Sequence, residues 1–243
     1  MRLTGAGVRI AALSDFHIGI ADRMCALGHT PDSMLRLLDH LESTHDHVVL
    51  LGDIYQCDHA LRTGPQSAAR QLEQARARTP WLTERLSQDN YTLVHGNHDA
   101  ITRVVLGAPT AVRFGDADFS VLLTHGDAHD PVIGTAPRVS ATATWTSGRI
   151  RSAGLRPVAD WLEGRDVSIK ADRFQVPGGP YAQGAEALIA RESVDVVVFG
   201  HTHVPWRTEV AGGILLNTGT CSRGQQMYAS VDTGARTAKI RVG

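Results

Sequence analysis

Five short apolar, β-rich runs in this chain each end directly in glycine, aspartate, asparagine or histidine, and that repeated junction constrains the fold more than any other feature. The runs cover residues 8–13, 48–51, 91–94, 119–123 and 194–199. At their ends stand Asp15-Phe16-His17, Gly52-Asp53, Gly96-Asn97-His98-Asp99, His125-Gly126-Asp127 and Gly200-His201-Thr202-His203. Continuous hydrophobicity without polar alternation marks strands buried on both faces, the pattern of a layered α/β sheet. In such sheets the loops at the C-terminal strand ends converge, so segments far apart in sequence can share one site.

Helical patterns fill the gaps between runs. Thr30-Pro31 supplies an N-cap and a proline at the first helical position, after which Met34, Leu35, Leu38 and Leu41 recur at helical spacing. Residues 66–86 read as helix interrupted at Pro80, with Thr79 placed to cap the second half, and 184–192 as a short helix. Three further strands, 213–216, 227–231 and 238–242, read as an antiparallel finish. Residues 131–180 break the alternation. They hold helical pieces at 141–153 and 157–164 and carry Arg138, Arg149, Arg151, Arg156, Arg165, Lys170 and Arg173 against Asp160, Glu163, Asp166 and Asp172. The expectation is one domain over residues 1–243, with 131–180 as a helical cap insertion over the sheet edge. Trp145, Leu155, Val158, Trp161 and Leu162 would be that insertion's own packing.

At 243 residues, 42% hydrophobic and 20% charged, the chain has the composition of a single globular α/β domain. A formal net charge of -1 argues against coating nucleic acid or an anionic membrane by bulk electrostatics, and 5% aromatic residues offer few stacking platforms for a nuclease. The three cysteines lack paired spacing, so neither a disulfide framework nor a thiolate metal site is expected. No apolar run approaches the roughly 18 residues of a transmembrane helix, and the expected location is the cytoplasm.

Carboxylate, imidazole and amide oxygen together suit Mn, Fe, Zn, Ni or Co. In D-x-H and H-x-H, alternate residues of an extended chain point the same way, which brings two donors into one region. Glycine before Asp53, Asn97 and His201 permits tight turns and close backbone approach. Of the remaining histidines, His29, His40, His45, His47 and His59 read as mostly solvated, and His95 as lying beside the site. His129 and Asp130 would face the cap, and Asp58 would line the mouth.

The ordered set D-x-H, G-D, G-N-H-D, H and G-H-x-H, spanning Asp15 to His203, resembles the calcineurin-like metallophosphoesterase superfamily. The resemblance implies a four-layer α/β/β/α sandwich and two divalent metal ions, manganese foremost with Fe, Zn, Ni or Co as alternatives. It assigns Asp15, His17 and His203 to one ion, Asn97, His125 and His201 to the other, and Asp53 to both. A bridging hydroxide would attack phosphorus, with His98 as general acid and Asp99 holding its ring. The substrate implied is a phosphorylated small molecule or a nucleotide-linked phosphoester, bound by His129, Arg149 and Arg151. More narrowly, HGDAHDPV, VDVVVFGHTHVP and ILLNTGTC resemble the UDP-2,3-diacylglucosamine pyrophosphohydrolase branch, whose insert forms a lid. A nuclease and a non-catalytic scaffold are the other classes the sequence leaves open.

Overall fold

The computed structural model describes residues 2–3, 7–59 and 61–243. Side-chain alternation within the buried strands explains the architecture. In β2 (Arg9–Leu13), Ala11 and Leu13 pack with Met34, Leu38 and Leu41 of α1 (Pro31–Thr44), whereas Ile10 and Ala12 face a different cluster. β3 (His47–Leu51) repeats the division, with Val48 and Leu50 toward the helices and Val49 and Leu51 away from them. A strand apolar on both faces needs a partner layer on each side. Here the second layer is another sheet.

That second sheet shows the mirror arrangement. In β7 (Val196–Phe199), Val196 and Val198 join Ile10, Val49 and Leu51 in the inter-sheet core. Val197 and Phe199 pack outward with Tyr181, Ala185, Leu188 and Ile189 of α8 (Pro180–Glu192). The result is helix, sheet, sheet, helix: the four-layer α/β/β/α sandwich. Helices α2 (Pro65–Arg78) and α3 (Pro80–Arg85) complete the layer begun by α1, through Leu72, Ala75 and Leu82.

One sheet has β3 between β2 and β4 (Tyr91–Val94), all parallel, with β10 (Met227–Asp232) and β11 (Thr237–Val242) added antiparallel beyond β2. The other runs from β1 (Arg2–Leu3) through β5 (Ala111–Gly115), β6 (Ser120–Thr124) and β7 to β9 (Gly213–Thr218) and β8 (Pro205–Val210). The strands that precede the five polar junctions therefore divide between the sheets: β2, β3 and β4 in one, β6 and β7 in the other. After α4 (Thr102–Val105), residues 131–174 form α5 (Pro131–Thr135), α6 (Pro137–Ser152), α7 (Arg156–Ile169) and a π-helical turn, Lys170–Phe174.

Three expectations differ from the structure. The closing strands are not one antiparallel unit: β9 joins the second sheet, parallel to β7, while β10 and β11 join the first. Its antiparallel neighbour β8 begins with proline and alternates in exposure, which hides an edge strand from a search for apolar runs. Thr79 stands at the N-cap of α3 but caps it through its backbone carbonyl alone; its hydroxyl donates to the Ala75 carbonyl, whereas the Thr30 hydroxyl does accept from the Ser33 N–H at the start of α1. Leu155, Val158, Trp161 and Leu162 are exposed rather than packed within the helical segment.

Leu38 is fully buried between α1 and its sheet, away from the polar junctions. Leu38→Ala is expected to lower the unfolding free energy by about 2–5 kcal/mol in urea denaturation.

Candidate metal centre

The five junctions meet at one end of the two sheets, and the backbone there is unusual. Asp15, His17, Asp53, His201 and His203 all have left-handed φ, between 49° and 70°. Asp and His tolerate this region better than most residues, yet each such residue costs on the order of 1 kcal/mol or more. Among the described residues only Ser193, Arg223 and Arg236 share that conformation without being glycine. The i, i+2 pairs therefore converge because both members turn left-handed at a strand end, not through the alternation of extended chain.

Two glycines make room for these turns. A Cβ on Gly96 would lie 2.2 Å from Asp53 Oδ1, and one on Gly52 (φ 81°) would lie 2.5 Å from His125 Nδ1. No side chain fits at either position without displacing a donor.

Within this frame the candidate ligand atoms face one another. His17 Nε2 is 3.2 Å from His203 Nε2, and His203 Nε2 is 3.1 Å from Asp15 Oδ1. His125 Nε2 is 3.1 Å from Asp53 Oδ2. Asp15, His17 and His203 form one group able to hold an ion, and Asp53, His125 and His201 another. Asp15 Oδ1, Asn97 Oδ1 and His125 Nε2 are buried without any hydrogen-bond partner. Each orphan costs about 1–3 kcal/mol unless something satisfies it.

The other half of most of these candidate ligands is already engaged, in the way metal ligands are normally braced. His125 Nδ1–H donates to the Leu51 carbonyl at 2.8 Å, which turns Nε2 toward the Asp53 carboxylate. His17 Nδ1–H donates to Gln56 Oε1 at 2.8 Å. His201 Nε2–H donates to Asp130 Oδ2 at 3.0 Å. Asp15 Oδ2 accepts from the His201 backbone N–H and from Ser14 Oγ, and Asp53 Oδ1 from the His98 N–H. Burial pushes the His17 imidazole down to about 4, aided by His98, and pushes His201 down to about 4, aided by Lys170. Both rings are thus neutral at physiological pH, the form that binds metal. His125 goes the other way. Against its burial, Asp53 and Asp15 hold it well above the usual range, a sign that the carboxylates are short of positive charge. Buried, unpartnered oxygen and nitrogen lone pairs, neutral imidazoles and unmet negative charge fit divalent metal ions of the Mn, Fe, Zn, Ni or Co type.

His98 stands at the rim. Its Nδ1–H donates to Asp58 Oδ2 at 2.8 Å, and its Nε2 is 4.0 Å from Asp53 Oδ2. Burial opposes the imidazolium, but Asp58 and Asp53 outweigh it and raise His98 to about 10. Asp99, expected to hold this ring, has another role. Its oxygens accept the backbone N–H groups of Ile54, Tyr55 and Gly96, tying the Asp53 loop to the Asn97 loop. Burial, with Asp53, raises its carboxyl to about 6. The residue that orients His98 is Asp58, which also accepts from Gln56 Nε2. Gln56 thereby links His17 to His98. The only sequence signal for Gln56 and Asp58 was their place in the loop after Asp53.

Of the residues expected to touch substrate, Arg151 lines the cavity over the cluster but is held by carboxylates, and His129 and Arg149 are engaged elsewhere. His129 lies on the Phe199 ring at 5.0 Å, in a space that exists because residue 184 is glycine. Arg149 donates to the His59 carbonyl. Arg151 is buried against Asp160 and Glu163, each at 2.6 Å. His59 and His47 are buried rather than solvated, and His95 pairs with Thr110 rather than with the cluster. A cavity of about 980 Å³ covers the cluster. His17, Asp53, Asn97, His98, His201 and His203 line one side, and the helices of 131–170 line the other through Val132, Ile133, Arg138, Val139, Leu162 and Lys170.

Gly96→Ala tests the link between backbone and cluster. It is expected to displace Asp53 and reduce bound metal by at least tenfold in calorimetric titration, with the circular dichroism spectrum retained.

The family model described as calcineurin-like phosphoesterase matches residues 8–205. No curated protein matches the chain. Among solved structures, vacuolar protein sorting 29 from Cryptosporidium parvum is 15% identical, with 98% of this chain and 98% of that one covered and a TM-score of 0.50. A predicted phosphoesterase from Streptococcus pneumoniae is 15% identical over 98% of this chain and 99% of its own, with a TM-score of 0.44. A protein described as a novel archaeal phosphodiesterase is also 15% identical, over 97% and 99%, with a TM-score of 0.45. At these identities the likeness concerns fold alone. The match over residues 8–205, on the same strands and junctions that build the cluster, places the chain in the calcineurin-like phosphoesterase family.

Proposed function

We propose that this protein is a metal-dependent phosphoester hydrolase using two divalent ions, manganese foremost. The observation that carries the reading is the convergence of unpartnered, buried donor atoms on Asp15, Asn97 and His125 beneath a cavity large enough for a substrate. Asp15, His17 and His203 would hold one ion, Asn97, His125 and His201 the other, and Asp53, which clusters with His17 and His98 as well as with His125 and His201, would serve both. When bound, the ions would supply an activated water and neutralise charge on the phosphate oxygens.

The chain's own residues account for the rest. The carboxylates of Asp58 and Asp53 favour the His98 imidazolium, and with its Nδ1–H held on Asp58 the Nε2–H is free to pass a proton to the departing oxygen. Asp99 contributes indirectly by holding the loops of Asp53 and Asn97 together. The helical segment 131–180 acts as a cap that limits water and selects the substrate. Small or nucleotide-linked phosphoesters fit the cavity volume. Its apolar wall of Val132, Ile133, Val139 and Leu162 supports a second reading, a substrate with an apolar group such as the UDP-2,3-diacylglucosamine type.

The purified protein with Mn²⁺ is expected to hydrolyse at least one of nitrophenyl phosphate, bis-nitrophenyl phosphate and a UDP-linked sugar. Activity should vanish with chelator and return with Mn²⁺. Metal binding with silence across that panel would favour a scaffold. His98→Ala is expected to slow esters with poor leaving groups by about a hundredfold or more and nitrophenyl esters far less, since only the former need a proton. Asp58→Asn should share that leaving-group signature, and Asp99→Asn should not. Equal losses on both ester types would contradict the acid role.

A further inference from the structure

The helical segment is tied to the metal-ligand loop at both its ends. At its entry, Asp130 caps α5: Oδ1 accepts the Val132 N–H at 2.8 Å, and Oδ2 accepts His201 Nε2–H at 3.0 Å. At its exit, the Lys170 ammonium lies 3.4 Å from Asp130 Oδ2 and 2.8 Å from Asp166. Five residues on, Gln175 is buried with both ends of its amide engaged. Its Nε2 donates to the Val204 carbonyl at 2.9 Å, and its Oε1 accepts from Thr202 Oγ1. Thr202 and Val204 flank His203, so three successive contacts grip the stretch that carries His201 and His203. Between Lys170 and Gln175 the backbone forms a π-helical turn, closed by the Gln175 N–H on the Lys170 carbonyl at 2.8 Å. Such turns are uncommon and often mark functional positions.

We propose that Lys170 and Gln175 are positioning residues that couple seating of the helical segment to the orientation of His201 and His203, so that metal occupancy and closure of the cavity favour each other. The proposal rests on reading the cluster as a metal centre. Lys170 steadies the carboxylate that fixes which nitrogen of His201 faces the ions. Gln175 holds the loop on either side of His203. Linkage then requires reciprocity: whatever factor seating adds to metal affinity, metal adds to seating.

The sign of the effect separates positioning from plain electrostatics. A lysine near a cationic centre repels it, so by Coulomb's law alone its removal should tighten metal binding. Positioning predicts the opposite. Lys170→Met is expected to weaken Mn²⁺ binding by about tenfold in calorimetry, with Lys170→Arg restoring most of it. Hydrogen exchange of residues 131–174 in the wild type should slow when Mn²⁺ is added, and that slowing should be lost in Lys170→Met. Gln175→Ala should act in the same direction, and it decides the matter if Lys170→Met does not fold. Mn²⁺ binding as tight as wild type or tighter, with metal-dependent protection intact, would overturn the coupling alone. A wild-type protein that binds no metal would overturn the metal reading and the coupling with it.

Discussion

Carboxylate oxygens and imidazole nitrogens face one another at about hydrogen-bond distance in this site, and three of the buried polar atoms have no well-aligned hydrogen-bond partner. Asp15, Asn97 and His125 each keep a buried atom unpaired while their other polar atoms or neighbours are braced. Left to itself such a cluster is destabilising. A divalent cation reverses the sign, because each orphaned lone pair becomes a ligand. Left-handed backbone at five of these residues adds a further cost that metal binding would offset.

The sandwich exists in a form that can bear this cost. Two sheets meet face to face through Ile10, Val49, Leu51, Val196 and Val198, and each is backed by helices. That packing fixes the ends of β2, β3, β4, β6 and β7 against one another, so the junction loops have little freedom to relax. Asp99 and Gln56 then join loops laterally: the first through backbone N–H groups, the second between His17 and Asp58. The helical segment closes the other side of the cavity; Arg151 holds its helices together through Asp160 and Glu163, and Arg223, in the loop between β9 and β10, ties the same two carboxylates to the sandwich.

Much of this was legible in the sequence because the signals were redundant. Apolar runs marked the central strands, and polar triplets directly after buried strands marked the site. What escaped had a physical reason in each case. The edge strand β8 is proline-led and half polar, so its apolar pattern is diluted. Asp58 and Asp99 are both close in sequence to a ligand, and only three dimensions show that Asp99 faces backbone amides while Asp58 faces His98. Arg151 looked free to meet a phosphate, yet its carboxylate partners lie nine and twelve residues away on a neighbouring helix. The left-handed turns at Asp15, His17, His201 and His203 were invisible, because nothing in D-x-H or H-x-H distinguishes an extended pair from a turned one. No helix among the described residues is long and apolar enough to cross a membrane.

The clustered donors are proposed to hold two cations around Asp53. Anomalous diffraction from crystals grown with Mn²⁺ measures this directly. Two peaks are expected, one bounded by Asp15, His17 and His203 and the other by Asn97, His125 and His201, with the Asp53 carboxylate between them. A single peak away from Asp53, or none with metal in excess, would contradict it and would mean that the buried donors are satisfied by protons and water instead.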